Sequence, residues 1–228
     1  MNESKIIKNR TVKIISISGL DGSGKSTQVE LIKKHLERRK KKVYYFHAVH
    51  FSIINKIIRI LKSPLTFFGI IKKTEEGKPK SVTDAKEWQI KLRRFVLEID
   101  MGRFEALIRN LEDCNYDYIV SDRYFYDNII NIEYLSAKLD PDFHEKDLLG
   151  LKKFLVEPDV KIYLRTDPKE IMRRAETPDQ GIVYLELKNK LYDQATKVIE
   201  WSIVDGNRTK EIIYEEIKEI IKKELKLS

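Results

Sequence analysis

The chain has 228 residues, a single cysteine and a formal charge of +8, with 44 basic side chains against 36 acidic ones. That length supports one sizeable core, and the lone Cys114 excludes a disulfide framework or a cysteine metal cluster and fits a reducing cytoplasm. Residues 1–5 carry no signal-peptide apolar region, no apolar run approaches a membrane span, and the lysines are scattered over helical segments, so neither membrane nor nucleic acid is an expected partner.

Residues 12–18, Val-Lys-Ile-Ile-Ser-Ile-Ser, predict a buried strand. They run into Gly19-Leu20-Asp21-Gly22-Ser23-Gly24-Lys25-Ser26-Thr27, a G-x-x-x-x-G-K-S phosphate-binding loop. Val29, Leu31, Ile32 and Leu36 then recur at helical spacing. Strand, glycine turn and helix are the arrangement that phosphate binding needs. Backbone N–H groups line the turn, and the positive end of the helix dipole adds to them. Lys25 reaches the β- and γ-phosphates, and Ser26 offers its hydroxyl to Mg²⁺. Asp21 would be repelled by phosphates unless it has a separate task. It can accept a hydrogen bond from an acceptor sugar, sit beside Mg²⁺, or form an Asx turn at the helix start.

The basic run Arg38-Arg39-Lys40-Lys41-Lys42 closes this helix, where cations favour the dipole. Residues 43–49 predict a second strand. Residues 53–71 are apolar and basic, a pattern that fits packing against the core or a partner subunit better than a membrane surface. The Lys-, Glu-, Gly- and Pro-rich tract 72–83 is the least ordered candidate. A long helix is predicted over about 84–112, with an apolar stripe of Trp88, Leu92, Phe95, Val96, Ile99, Ala106, Leu107 and Leu111. Arg103 falls on that stripe and so should face inward, which is costly without an anion. Its anion is either a ligand or a buried acid such as Asp100.

Residues 118–121 predict a third strand, ending in Asp122-Arg123-Tyr124. In α/β sheets, ligands bind off the carboxyl ends of strands. Asp122 stands where an acid approaches Mg²⁺ through water, and Arg123 can point its fork at a phosphate; a surface Asp–Arg pair is the alternative. Residues 160–164 and 202–205 predict the fourth and fifth strands. Alternating strands and helices argue for a parallel sheet in a single domain spanning 1–228.

Together these motifs resemble the thymidylate kinase family of P-loop nucleoside-monophosphate kinases. The loop with its internal Asp21 and the Asp122-Arg123-Tyr124 triplet carry the resemblance first. Glu157-Pro158-Asp159 before the fourth strand, Asp167-Pro168 leading to Arg173, the helix from Tyr184 to Tyr192, and the Asp205-Gly206-Asn207-Arg208 turn extend it over nearly the whole chain. The resemblance implies a three-layer α/β P-loop kinase fold: a five-stranded parallel sheet in the order 2-3-1-4-5, a short lid at about 173–183 and an acceptor-side segment at about 50–84.

It also assigns roles. Gly19, Gly22, Ser23, Gly24, Lys25, Ser26 and Thr27 would hold the phosphates of ATP. Arg173 and Asn207 would lie near adenine, and Arg174 would reach the transferring phosphate. Ser26 and Asp122 would serve Mg²⁺. Arg123 would hold the acceptor phosphate and Arg103 would read the acceptor base. The implied reaction is phosphoryl transfer from Mg-ATP to a nucleoside monophosphate, dTMP to dTDP, catalysed by Lys25, Arg123, Asp21 and Arg174 in a cytoplasmic homodimer.

The chain departs from the family's pattern mostly on the acceptor side. The Arg-Glu-Pro-Gly-Gly segment after the second strand is replaced by His47-Ala48-Val49-His50-Phe51-Ser52. His50 stands at an acceptor-contact position, with plain strand packing as the alternative. Ile99 replaces the base-stacking aromatic, Asp127 replaces a serine, and Asn131-Ile132 replaces a Tyr-Gln pair. The loop holds no arginine, and the lid holds only Arg173 and Arg174; Lys188 and Lys190 are the remaining cations nearby. A kinase for another nucleotide, nucleoside or small acceptor, and a non-catalytic ATP-binding regulator, are the alternative readings.

Overall fold

The computed structural model describes residues 10–53, 87–139, 151, 154–174 and 181–227. The apolar segment from 54 to 71, the tract 72–83, the long helix before Glu87 and lid positions 175–180 lie outside these residues. In chain order the elements are β1 (Lys13–Gly19), α1 (Lys25–Arg38), β2 (Val43–Phe46), α2 (Ala48–Phe51), α3 (Glu87–Asp113), β3 (Tyr118–Asp122), α4 (Phe125–Leu139), β4 (Val160–Arg165), α5 (Pro168–Arg174), α6 (Gly181–Ala195), β5 (Ser202–Asp205) and α7 (Lys210–Glu224).

The five strands form one parallel sheet in the order β2-β3-β1-β4-β5, as expected from the motifs. Strand β1 is central, so both its faces are covered. Ile15 and Ile17 pack on one side with Val29, Ile32 and Leu36 of α1 and Ile213, Ile217 and Ile221 of α7. Ile14 packs on the other side with Phe104 and Ile108 of α3, Ile129 and Ile130 of α4 and Leu185 and Leu191 of α6. Each such fully buried aliphatic or aromatic side chain stabilises the fold by roughly 1.5–3 kcal/mol. The near-continuous apolar strands are therefore a consequence of burial on two faces.

Two expectations are corrected. Strand β2 stops at Phe46, where its pairing with β3 ends at Ser121. The chain turns there because the Ala48 N–H donates to the Arg123 carbonyl at 3.1 Å, and residues 48–51 form one helical turn instead of strand. The inward stripe of α3 is also different. Ile90, Val96, Leu97, Asp100, Met101, Phe104, Ile108 and Leu111 are buried, whereas Trp88, Leu92, Phe95 and Ile99 are 38–60% exposed. The helix carries two apolar rows, and the row with Leu97, Met101, Phe104 and Ile108 joins the core cluster.

Candidate active site

Strand β1 delivers the chain to the glycine loop at its carboxyl end. At Gly19 a Cβ would sit 2.6 Å from the Leu164 carbonyl oxygen, so no larger residue fits the crossing beside β4. Gly24 caps α1 at φ 95°, a left-handed geometry that glycine adopts without a Cβ penalty. The first turn of α1 contains no acid, so its exposed N–H groups and dipole favour an anion. Ser26 and Thr27 are exposed there. Thr166 ties the loop to the end of β4 by donating to the Ser23 carbonyl at 3.3 Å.

Lys25 is buried and folds over the loop, its Nζ donating to the carbonyls of Gly19 (2.9 Å) and Leu20 (2.5 Å). Burial, reinforced by the Arg123 charge, lowers its pKa to about 8, against the pull of Asp127, Asp21 and Asp122.

Arg123 leaves β3 with φ 66°, a left-handed conformation uncommon for a non-glycine residue, which costs about 1–3 kcal/mol and is typical of functional positions. Backbone bonds over-determine it. Its N–H donates to the Ile17 carbonyl at 3.2 Å, and its carbonyl accepts from Ala48 N and from Ser121 Oγ. The result turns the guanidinium across the loop onto Asp21 in an ion pair. Burial raises the Asp21 pKa, but Lys188, Arg123 and Lys25 together hold it below its ordinary value. Tyr184 also approaches Asp21, its hydroxyl 3.5 Å from Oδ2.

Asp122 is buried at the end of β3, beside Ile17 of β1, and its charge, after burial, raises the pKa of nearby Tyr45. A serine hydroxyl and a carboxylate are hard oxygen donors, so Ser26 and Asp122 fit a Mg²⁺ ion held partly by phosphate and water.

Two cavities flank this centre. The first, about 490 Å³, lies between the loop, α5 and the turn after β5, and its lining includes Gly22, Gly24, Arg173, Arg174, Asn207 and Arg208. Arg173 is exposed and bidentate to Glu170. Arg174 donates to Glu170, to the Gly206 carbonyl at 2.9 Å and to the Asn207 carbonyl at 3.0 Å. Its guanidinium therefore braces the turn after β5. Asn207 secures the same turn through Asp167 N–H and Asp205.

The second cavity, about 160 Å³, lies between α2, α3 and α4 and is lined in part by Ser52, Arg93, Leu97, Asp100, Asn128 and Asn131. Asn131 thus borders it, whereas Ile99, Arg103 and His50 do not. Ile99 points to the surface. Arg103 is tied to Asp100 Oδ1 at 2.6 Å and to the Phe51 carbonyl, and lies over the Phe51 ring. The buried acid Asp100 is therefore the anion that its place on α3 required. His50 is exposed and stacks on His47 with ring centroids 4.1 Å apart; burial and the His50 charge lower the His47 pKa.

Sequence reasoning registered Asp127 only as a replaced serine. The structure buries it at the loop's root, where it accepts from Ser18 Oγ (2.7 Å), Gly19 N (3.3 Å), Tyr124 N (3.0 Å) and Tyr192 Oη (2.6 Å). Tyr192 also donates to the Gly19 carbonyl. The spacing of Tyr184, Lys188 and Tyr192, one per helical turn, was the available signal that one face of α6 turns polar tips toward the loop.

No family model matches the chain. It is 28% identical over 217 residues to a probable thymidylate kinase of Methanosphaera stadtmanae, covering 93% of this chain and 99% of that protein. It is 24% identical over 220 residues to a thymidylate kinase of Prochlorococcus marinus, covering 92% and 95%. The fold superimposes on the structure of thymidylate kinase from Candida albicans with a TM-score of 0.64 at 22% identity, over 95% of this chain and 93% of that one.

Proposed function

Because the chain belongs to the thymidylate kinase family, we propose that it transfers the γ-phosphate of Mg-ATP to dTMP, giving ADP and dTDP. The observation that carries this reading is the anchoring of Arg123 to both sides of the site. Its carbonyl holds the turn that borders the smaller cavity, and its guanidinium reaches Asp21 in the phosphate loop.

The larger cavity takes the donor, with adenosine toward Arg173 and Asn207 and the phosphates on the N–H groups of the loop. Lys25 then exchanges the Gly19 and Leu20 carbonyls for phosphate oxygens. The smaller cavity takes the acceptor base against Asn131, Asn128 and Asp100. Arg123 swings from Asp21 to the acceptor phosphate, which attacks in line, and no covalent enzyme intermediate is needed. Ser26 and Asp122 would hold Mg²⁺, which neutralises charge on the phosphates. Charge that develops between donor and acceptor then falls on Lys25 and Arg123.

Among the described residues, no helix is long and apolar enough to cross a membrane. The reading places the enzyme in the cytoplasm as a homodimer. The exposed row Trp88, Leu92, Phe95 and Ile99 on α3 supplies the contact.

The test is ADP formation from Mg-ATP with dTMP, in the wild type and in Lys25→Ala. The wild type should turn over and the variant should lose at least about two orders of magnitude in kcat while staying folded. Near-normal turnover in Lys25→Ala would sink the assignment.

A further inference from the structure

Phosphoryl transfer concentrates negative charge between donor and acceptor, and the loop itself offers only Lys25 against it. Gly22 and Ser23 carry no charge, Arg173 is paired with Glu170, and Arg174 is spread over Glu170 and three carbonyls of the turn after β5. Lys188 stands differently. It lies on α6 between Tyr184 and Tyr192, one turn from each, on the face whose two tyrosine hydroxyls reach Asp21 and Gly19. It is 1% exposed, and its Nζ is 3.9 Å from Asp21 Oδ2 and 5.1 Å from the Tyr184 ring centroid. Lys190, two residues on, is exposed.

Among the described residues, Asp21 is the one acid that pairs with Lys188, and that carboxylate is already engaged by Arg123. A buried ammonium is costly unless it is paired and hydrogen-bonded. Lys25, Arg123 and Lys188 all act on Asp21, with Asp122 and Asp127 close enough to act on Lys25 and Arg123 as well. The 3.9 Å contact of Lys188 with Asp21 is longer than a hydrogen bond, which leaves its N–H donors for a phosphate oxygen.

We propose that Lys188 is a further catalytic residue, an ammonium that binds the oxygens of the phosphoryl group in flight from the α6 side of the loop. The proposal rests on the kinase reading above. In the step, the bond from Pγ to the β–γ bridging oxygen breaks and ADP leaves with its electron pair. An oxygen of the acceptor phosphate forms the new bond to Pγ. Lys188 donates hydrogen bonds throughout and gives up no proton.

The experiment compares wild type, Lys188→Met, Lys188→Gln and Lys188→Arg in the full chain. The readouts are kcat at saturating ATP and dTMP, KM for each, ATP affinity by fluorescence titration, and Tm. Methionine and glutamine variants should lose about 100-fold in kcat, with ATP affinity within threefold of wild type and no fall in Tm. Arginine should restore part of the loss. A kcat within threefold of wild type in either neutral variant, or a loss that tracks Tm or ATP affinity alone, overturns the proposal. A wild type without dTMP-dependent ADP formation overturns the kinase reading itself, which is a separate result.

Discussion

Replacing Asp127 by asparagine probes the root of the phosphate loop with almost no change of shape. The carboxylate receives four donors, two on each oxygen: Gly19 N–H and Tyr192 hydroxyl on Oδ1, Ser18 hydroxyl and Tyr124 N–H on Oδ2. An amide offers one oxygen and one NH₂. The hydroxyls of Ser18 and Tyr192 can rotate and accept, but a backbone N–H cannot. Whichever way the amide sits, its NH₂ meets either Gly19 N–H or Tyr124 N–H. One buried backbone donor is then left unsatisfied, at about 1–3 kcal/mol, and the remaining bonds lose their charge assistance, about 1 kcal/mol more. Asp127→Asn should therefore destabilise the fold by about 2–4 kcal/mol and lower Tm by roughly 4–16 °C for a domain of this size. The same substitution removes an anion that supports the charged form of Lys25, so the Lys25 pKa should fall further. Thermal and urea unfolding read the first effect, and the alkaline limb of kcat/KM for ATP reads the second. A Tm within 1 °C of wild type, with an unmoved alkaline limb, would refute the hydrogen-bond accounting.

Lys25 itself should set the alkaline limb: kcat/KM for ATP reports the free enzyme and should fall above pH about 8, while kcat, with phosphate against the ammonium, should hold to higher pH. For stability the sign is opposite. The folded pKa lies below the unfolded one, so the unfolded chain binds more protons between them, and this group's contribution to stability rises with pH from about 8 to the ordinary lysine value. Lys25→Arg, which does not titrate there, should flatten both profiles, and a limb that persists in it would assign the titration elsewhere. Phe95→Glu, placed in the exposed row of α3, should convert the proposed dimer to monomer by analytical ultracentrifugation without changing Tm at low concentration. An unchanged sedimentation coefficient would move the interface off α3.

The sheet and the phosphate loop were legible in the sequence because both are local. Apolar strands announce burial on two faces, and Gly19 to Thr27 is one contiguous motif with its strand and helix on either side. What failed depends on partners far along the chain. Both apolar rows of α3 have helical spacing, and only contact with the core decides that Leu97, Met101 and Phe104 turn inward while Trp88, Leu92, Phe95 and Ile99 do not. Residues 47–49 read as strand, yet β3 ends first and Arg123 draws Ala48 into a turn. Arg103 was expected on an inward stripe and in need of an anion; the stripe is largely exposed, and the half-buried Arg103 pairs with Asp100, one turn earlier on its own helix. Asp127 and Lys188 each depend on a group more than a hundred residues away, Ser18 and Asp21, which local spacing could not supply.

The central claim is tested most directly by Mg-ATP-dependent ADP formation across dTMP, dUMP, UMP, CMP, AMP, GMP and thymidine, with a no-acceptor control. The account predicts the highest kcat/KM with dTMP and a background rate without acceptor. Turnover that ignores dTMP, or that prefers another acceptor, would contradict it.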